Sequence, residues 1–92
     1  MNIKRTERFK AELSEILRFI AVDSPTSATA FKEGIRKVLE GLSYMPYKYR
    51  KSTKADDDTI RDLVYNGYVI PYRVKDDAIE ILGVFSQNEW EL

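Results

Sequence analysis

A ten-residue run, MPYKYRKSTK (Met45–Lys54), combines residue types that can contact phosphates and bases. It carries four cations and no carboxylate, together with two tyrosine rings and a proline ring. Cations hold phosphate and aromatic rings stack on bases, so this pattern is typical of proteins that contact RNA. A solvated loop and a loop that borders an acidic or amphipathic protein partner show the same composition. The run alone leaves these three interpretations open.

A second set of candidates lies further along the chain, in two runs with β-strand character. Arg61 and Arg73 fall on adjacent predicted strands, where they form a cationic surface or pair with neighbouring acids. The acids within reach are Asp58, Asp62 and Glu80. Side chains alternate between the two faces of a strand. Tyr68 and Tyr72, four residues apart, therefore point to one face, as core residues or as a groove wall.

Two further features have a plain structural interpretation beside the functional one. Trp90, close to the C-terminus, either packs back on the domain or is left exposed for a partner. The three carboxylates of residues 56–58 lack the spacing of an EF-hand loop. They are therefore predicted to form a solvated turn rather than a cation site.

The chain contains no cysteine and no histidine. Disulfides, thiolate sites and metal sites of the usual His/Cys type are therefore excluded. The commonest general base near neutral pH is also missing, which removes the serine, cysteine and metallo-hydrolase triads. We predict a protein with no bound metal and no cofactor.

Length, charge and hydropathy set the broad class. Ninety-two residues predict one domain, residues 1–92, with one modest core. The 15 basic and 15 acidic residues cancel, although residues 1–10 and 48–54 are locally basic and residues 76–92 acidic. No segment approaches the roughly 20 apolar residues of a membrane span, and the N-terminus lacks the apolar stretch of a secretory signal. The expected location is cytoplasmic.

Two amphipathic helices are predicted to position the basic run. The first begins near Thr6, with one apolar face formed by Phe9, Leu13, Ile16, Leu17 and Ile20. Ser24 is a candidate N-cap for the second helix, with Pro25 at its first position. Its apolar face is formed by Ala28, Phe31, Ile35, Val38, Leu39 and Leu42. Gly34 interrupts this helix and is predicted to allow close packing on the first helix.

Period-two alternation replaces the helical pattern after the basic run. The stretches TIRDLVY and YVIPYRV flank Asn66-Gly67, a strong hairpin signal because both turn residues tolerate positive φ. AIEILGVF is a third strand of this group, and NIKRT near the N-terminus is a strand that precedes the helices. Pro71 requires a bulge or an N–H position that faces no partner strand. The predicted fold is α+β, in the order β-α-α-β-β-β, with a helical hairpin packed on a small antiparallel sheet.

Three stretches match a known family in order and spacing. ILRFIAVDSP is similar to a helix followed by an Asp-Ser-Pro turn, and LEGLSYMPYKYR closes the helical hairpin with an aromatic-proline step. IRDLVYNGYVIPYRVKDDAIEILGVF is similar to a pattern of Arg-x-Leu, a tyrosine, Tyr-Arg-Val and a last strand. Over essentially its full length the chain resembles the RelE/ParE superfamily of bacterial type II toxin–antitoxin toxins, closer to the ParE branch.

The resemblance implies one of two activities. RelE-like toxins are ribosome-dependent mRNA endoribonucleases that use lysines, arginines and a tyrosine, whereas ParE-like toxins poison DNA gyrase without a hydrolytic site. Both are inhibited by an antitoxin whose C-terminal segment folds on the toxin. An inactive member, retained as a binding module or co-repressor with its antitoxin, is a third alternative.

The ParE branch is favoured because the nuclease residues match poorly. RelE-like enzymes place an arginine before the hairpin turn and a basic residue at the end of the last strand. Here the stretch before the turn is LVYN, and GVFSQNEW carries no cation. Cleavage needs positive side chains that stabilise the phosphorane, whereas Glu89 and Glu91 would repel the phosphate. The short basic tail common in ParE-like proteins is also absent.

The resemblance also names candidate site residues and partners. If the chain is a nuclease, its catalytic residues come from Lys48, Arg50, Lys51, Lys54, Arg61 and Arg73. The residues expected to bind the target or the antitoxin are Lys48, Arg50, Lys51, Arg61, Tyr68, Tyr72, Arg73 and Trp90. The expected partners are a cognate antitoxin, in a hetero-oligomeric complex, and DNA gyrase, with the ribosome and mRNA as the alternative.

Overall fold

The computed structural model describes residues 1–53 and 55–87. Two helices follow a first strand, and five further strands complete a single sheet. The elements are β1 (Asn2–Arg5), α1 (Glu7–Asp23), α2 (Pro25–Gly41), β2 (Arg50–Lys51), β3 (Ile60–Tyr65), β4 (Tyr68–Lys75), β5 (Ala78–Ile81) and β6 (Phe85–Ser86). The predicted α+β class and the helical hairpin are confirmed. Neither helix is long and apolar enough to cross a membrane.

The two helix starts form as their capping residues predict. The Thr6 hydroxyl accepts a hydrogen bond from Phe9 N at 3.1 Å and donates one to Ile81 O at 2.7 Å, which ties α1 to β5. Ser24 accepts from Ser27 N at 3.1 Å, and Pro25 occupies the first turn of α2. Such caps satisfy backbone N–H groups that have no partner inside the helix.

The sheet has the order β1-β5-β4-β3-β2, with β6 pairing β4. The β3–β4 hairpin turns at Asn66 (φ 49°) and Gly67 (φ 82°), as predicted. The sheet is mixed rather than wholly antiparallel, because β1 pairs with β5 in parallel. The two helices run out and back, so the chain returns to the end of the sheet where β1 finishes. The antiparallel strands that follow then bring β5 alongside β1 in the same direction.

Pro71 lies inside β4 at the point where the neighbouring strand changes. On that edge β4 pairs with β6 at Tyr68 and Val69, and with β5 from Tyr72 onward. The Pro71 carbonyl accepts from Leu82 N at 2.9 Å, so only the missing N–H is lost from the ladder. The predicted third strand is accordingly split into β5 and β6 by residues 82–84.

The core lies between the hairpin and one face of the sheet. Its fully buried side chains include Phe9, Ile35, Leu39, Leu42, Leu63, Ile70, Tyr72, Ile79, Ile81 and Val84. Each such side chain contributes roughly 1.5–3 kcal/mol relative to an exposed one. Phe9 is the only fully buried residue of α1, whereas Leu13, Ile16, Leu17 and Ile20 are half-buried. The outer helix therefore retains apolar surface.

Gly34 makes room for the sheet and not for α1, so that prediction is wrong. A Cβ on Gly34 would collide with the hydroxyl of Tyr65 in β3. Tyr65 lies edge-on to Phe31, with 5.5 Å between the ring centroids. The close contact across the helix–sheet interface explains why a glycine interrupts an otherwise good helix.

Candidate functional site

The basic-aromatic run connects α2 to the sheet, and of its two tyrosines Tyr47 faces solvent whereas Tyr49 is half-buried against the core. Tyr44 is 87% exposed, Met45 60% and Tyr47 54%. Turn bonds from Met45 N to Gly41 O and from Lys48 N to Met45 O fold the backbone back on the end of α2. We call residues 44–51 the presenting loop. Large apolar side chains grouped on a surface mark an interaction site.

Tyr72 contacts the presenting loop from the core and fixes its backbone. Its hydroxyl donates to Pro46 O at 2.8 Å, and its ring lies edge-on to Tyr49, with 6.4 Å between the centroids. Burial is the main cause that raises the pKa of Tyr72 to about 12. The phenol is therefore a fixed hydrogen-bond donor at neutral pH. Tyr72 is expected among the binding residues, but its side chain is fully buried and reaches a partner only through the loop that it holds.

Arg61 supports the same loop instead of projecting from it. Its Nη1 donates to Tyr49 O at 3.2 Å, and its guanidinium lies 4.8 Å from the centroid of the Tyr47 ring. The buried Nε atom has no hydrogen-bond partner. Stacking and the carbonyl bond hold the guanidinium in place, so Arg61 positions Tyr47 and is not free to clamp a phosphate.

The exposed cations of the presenting loop differ in their pairing. Lys51 lies 3.5 Å from Asp58, whereas Lys48 and Arg50 form no ion pair within residues 1–53 and 55–87. The Lys48 ammonium lies 5.5 Å from the centroid of the Tyr49 ring. Lys48 and Arg50 are thus the cations of this loop that remain available to a partner. Lys54 lies outside the described residues.

Arg73 and Arg61 do not form one cationic surface, because they occupy opposite faces of the sheet. Arg61 is the register partner of Tyr72, and Arg73 that of Ile60. Arg73 lies 3.8 Å from Glu80 and 3.9 Å from Asp57, so it matches the ion-pair interpretation. Hydrogen bonds from the hydroxyl and backbone N–H of Thr59 are the main causes that hold the pKa of Asp57 below its usual value.

Tyr68 lines a groove, which matches one of the two interpretations that its position on the strand allows. It lies edge-on to Phe31 at 5.3 Å between centroids and is half-buried. The groove, about 350 Å³, runs beside α1, where Phe19 is 74% exposed and Ile16 forms part of the wall. The predicted apolar face of α1 does not include Phe19, although a phenylalanine on the polar side of a helix is a usable signal of such a groove. Trp90 lies outside the described residues.

A second groove, about 440 Å³, lies between α1 and α2. Leu13, Leu17 and Ile35 line its apolar part. Basic side chains stand around it: Arg5, Lys10, Lys32 and Arg36. Lys10 pairs with Glu7, and Arg36 pairs with Glu33 and Glu40, so the net positive charge comes from Arg5 and Lys32. A ligand for this groove would combine apolar side chains with negative charge.

Of the described nuclease candidates, Lys48, Arg50, Lys51 and Arg61 lie in or against the presenting loop, whereas Arg73 lies on the other face of the sheet. Arg61 and Tyr72 hold the loop, Arg73 pairs with acids on the other face, and residues 82–87 carry no cation. In the part of the chain that the structure describes, no cluster of acids could hold a metal ion. The arrangement can present aromatic and basic groups to a partner on a fixed backbone.

Comparison with known proteins decides the family. The sequence model of the ParE toxin of type II toxin–antitoxin systems, parDE, matches residues 3–89. The chain belongs to the ParE toxin family. A solved structure described as a chromosomal ParDE TA system from P. aeruginosa has the same fold, with a TM-score of 0.76 and 21% identity. The match covers 94% of this chain and 95% of that one. No curated protein sequence matches the chain.

Proposed function

We propose that this ParE-family toxin inhibits DNA gyrase by binding to it and is neutralised by a cognate antitoxin. The proposal rests on family membership together with a surface built for binding. Systems of this family consist of a toxin and an antitoxin, which makes a hetero-oligomeric complex in the cytoplasm the expected resting state. The target is a proposal drawn from the ParE branch.

The observation that carries the proposal is the presenting loop. Tyr44, Met45 and Tyr47 are exposed, yet the backbone beneath them is fixed by Tyr72 and Arg61. Binding costs less conformational entropy when aromatic side chains already stand on a rigid backbone. Aromatic rings are enriched at the centres of protein interfaces, where each buries a large area. The loop therefore suits recognition better than proton transfer.

The apolar surface of α1 supports an antitoxin that covers the helices. Phe19 and Val22 are exposed, and the groove between the helices has an apolar floor with basic residues around it. An amphipathic antitoxin segment with acidic residues matches both properties. Tyr68, beside the other groove, is a second contact in this proposal.

Expression of the protein in growing bacteria tests the target. We expect incorporation of labelled thymidine to fall before incorporation of labelled methionine, with induction of the DNA-damage response. Co-expression of the cognate antitoxin should restore growth. Codon-specific cleavage of mRNA on ribosomes would instead support the endoribonuclease alternative. Expression without any effect on growth would support an inactive binding module.

A matched pair of variants connects the target to the loop. Tyr44→Ala removes an exposed ring from the presenting loop, and Val22→Ala removes exposed apolar surface from α1. Neither residue is buried, so both variants should fold normally. We expect Tyr44→Ala to reduce inhibition of replication and Val22→Ala to leave it unchanged. Equal toxicity of Tyr44→Ala and the wild-type protein would remove the loop from the target interface.

A further inference from the structure

Asp62 is a buried acid on the face of the sheet opposite the hydrophobic core, where the start of α1 borders it through Arg8 and Glu12. It lies in the middle of β3 and is only 6% exposed. Leu63 and Tyr65 of the same strand pack in or against the core under the helical hairpin. Because side chains alternate between the two faces of a strand, Asp62 points to the opposite face. Its register partners are Pro71 in β4 and Arg50 in β2.

Asp62 lines a pocket of about 240 Å³. Ile60, Pro71 and Leu82 supply apolar walls, and the ion pair of Arg8 with Glu12, at 3.4 Å, stands at the same pocket. Because that pair is neutral overall, the carboxylate of Asp62 gives the pocket a negative charge. Each molecule of liquid water takes up about 30 Å³, so the volume of this pocket is large enough for a long side chain.

The Asp62 carboxylate has no counter-ion and accepts no hydrogen bond among residues 1–53 and 55–87. Nearby cations are engaged elsewhere: Arg8 with Glu12, Lys51 with Asp58, and Arg73 with Asp57 and Glu80. Arg50 is its cross-strand neighbour, yet the two form no ion pair. Among the described residues, Arg61 Nε is the one side-chain polar atom that is buried without a partner, so the Asp62 oxygens open into the pocket and are available to a ligand.

We propose that this pocket binds the side chain of an arginine or lysine from a partner protein. The apolar walls would cover the aliphatic stem, while the cationic end would pair with Asp62. Long basic side chains combine these two requirements, since neither an apolar nor an acidic side chain satisfies both. The pocket would then contribute to partner choice, because a partner without the cation leaves the carboxylate buried and unpaired.

Short peptides test the chemistry of the pocket directly. Acetyl-Ala-Arg-Ala-amide is titrated into ¹⁵N-labelled protein, beside the same peptide with citrulline, which keeps the shape and removes the charge. We expect saturable amide shifts at Ile60, Leu82 and Gly83 with arginine, and at least tenfold weaker binding with citrulline. Asp62→Asn should abolish the difference, whereas Asp56→Asn, at an exposed acid, should preserve it.

Two results of this titration would overturn the proposal. Equal binding of the two peptides would show that the pocket does not select charge. Retained selectivity in Asp62→Asn, or shifts spread over the acidic surface, would show that the cation binds elsewhere.

The free protein gives an independent test. If Asp62 has no internal partner, the urea midpoint of Asp62→Asn should equal or exceed that of the wild-type protein. A lower midpoint in Asp62→Asn, matched by an equal fall in Arg50→Ala, would show that Arg50 already neutralises the carboxylate. That result would overturn the proposal even if both variants remain folded.

The source of the cation follows from two binding assays on Asp62→Asn. Weaker binding of the cognate antitoxin assigns the basic side chain to the antitoxin, and weaker gyrase inhibition with antitoxin affinity intact assigns it to the target. Wild-type behaviour in both assays would overturn a role in partner choice. A protein that arrests translation would refute the proposed target and leave the peptide result standing, so the two failures are distinguishable.

Discussion

Replacement of Tyr72 by phenylalanine tests how the core holds the presenting loop. The change removes one oxygen atom, whose hydroxyl donates to Pro46 O at 2.8 Å, and leaves the buried ring in place. A net hydrogen bond contributes about 0.5–1.5 kcal/mol to stability, and a buried acceptor left without its donor adds to the loss. At pH 7 we therefore expect Tyr72→Phe to be less stable by about 1–2 kcal/mol.

Alkaline pH should remove this difference. The pKa of Tyr72 is raised from 10.0 to about 12 in the folded protein, so the unfolded chain releases this proton first. The stability that depends on the neutral phenol is complete below pH 10 and is lost as the pH rises towards 12. One pKa unit corresponds to about 1.4 kcal/mol, so the wild-type protein should lose that amount relative to the variant by about pH 11. The two stabilities should then be nearly equal.

Urea unfolding followed by circular dichroism at pH 7, 9, 10 and 11 measures both effects. The difference between wild type and variant isolates Tyr72, because all other titrating groups are common to both proteins. Tyr68→Phe is the control at pH 7, since no hydrogen bond from that hydroxyl is found in the described chain, and its effect should stay within about 0.5 kcal/mol. A difference between wild type and Tyr72→Phe that is constant from pH 7 to 11 would refute the role assigned to burial.

Three further changes test other parts of the account. Gly34→Ala should destabilise the fold by about 1–2 kcal/mol, because overpacking against Tyr65 outweighs the helix propensity of alanine. Gly41→Ala is the control, since its added methyl group meets open space and should be neutral or stabilising. Equal urea midpoints of the two variants would contradict the close contact between Gly34 and Tyr65. Ser24→Ala should cost about 1 kcal/mol through loss of the helix cap, measured in the same way, and an unchanged midpoint would show that the cap is dispensable. A triple alanine variant of the loop cations should weaken antitoxin or target binding in a calorimetric titration, and intact affinity together with lost mRNA cleavage would favour the nuclease alternative. The substituted residues are Lys48, Arg50 and Lys51.

Local signals predicted much of the fold. The Ser24-Pro25 helix start and the Asn66-Gly67 turn are set by the conformational preferences of the residues themselves, and both formed as expected. The parallel pairing of β1 with β5 joins residues more than seventy positions apart. No local preference encodes such a pairing. Its direction follows from how the helical hairpin returns the chain to the sheet.

Site residues were harder to predict because their roles depend on which face they occupy. The two-residue turn fixes the register of β3 and β4, so the opposite placement of Arg61 and Arg73 could have been derived from sequence by counting from Asn66. The roles of Tyr72 and Gly34 could not, since each depends on a contact with a distant element. The exposed Phe19 became informative only when its groove beside the sheet was visible.

Gyrase-mediated DNA cleavage with purified components shows whether the toxin acts on gyrase. The free toxin is incubated with DNA gyrase, ATP and supercoiled plasmid, in parallel with translating ribosomes and a defined mRNA. The account predicts accumulation of gyrase–DNA cleavage complexes, their suppression by the cognate antitoxin, and intact mRNA. Cleaved mRNA on the ribosomes, with gyrase unaffected, would contradict it.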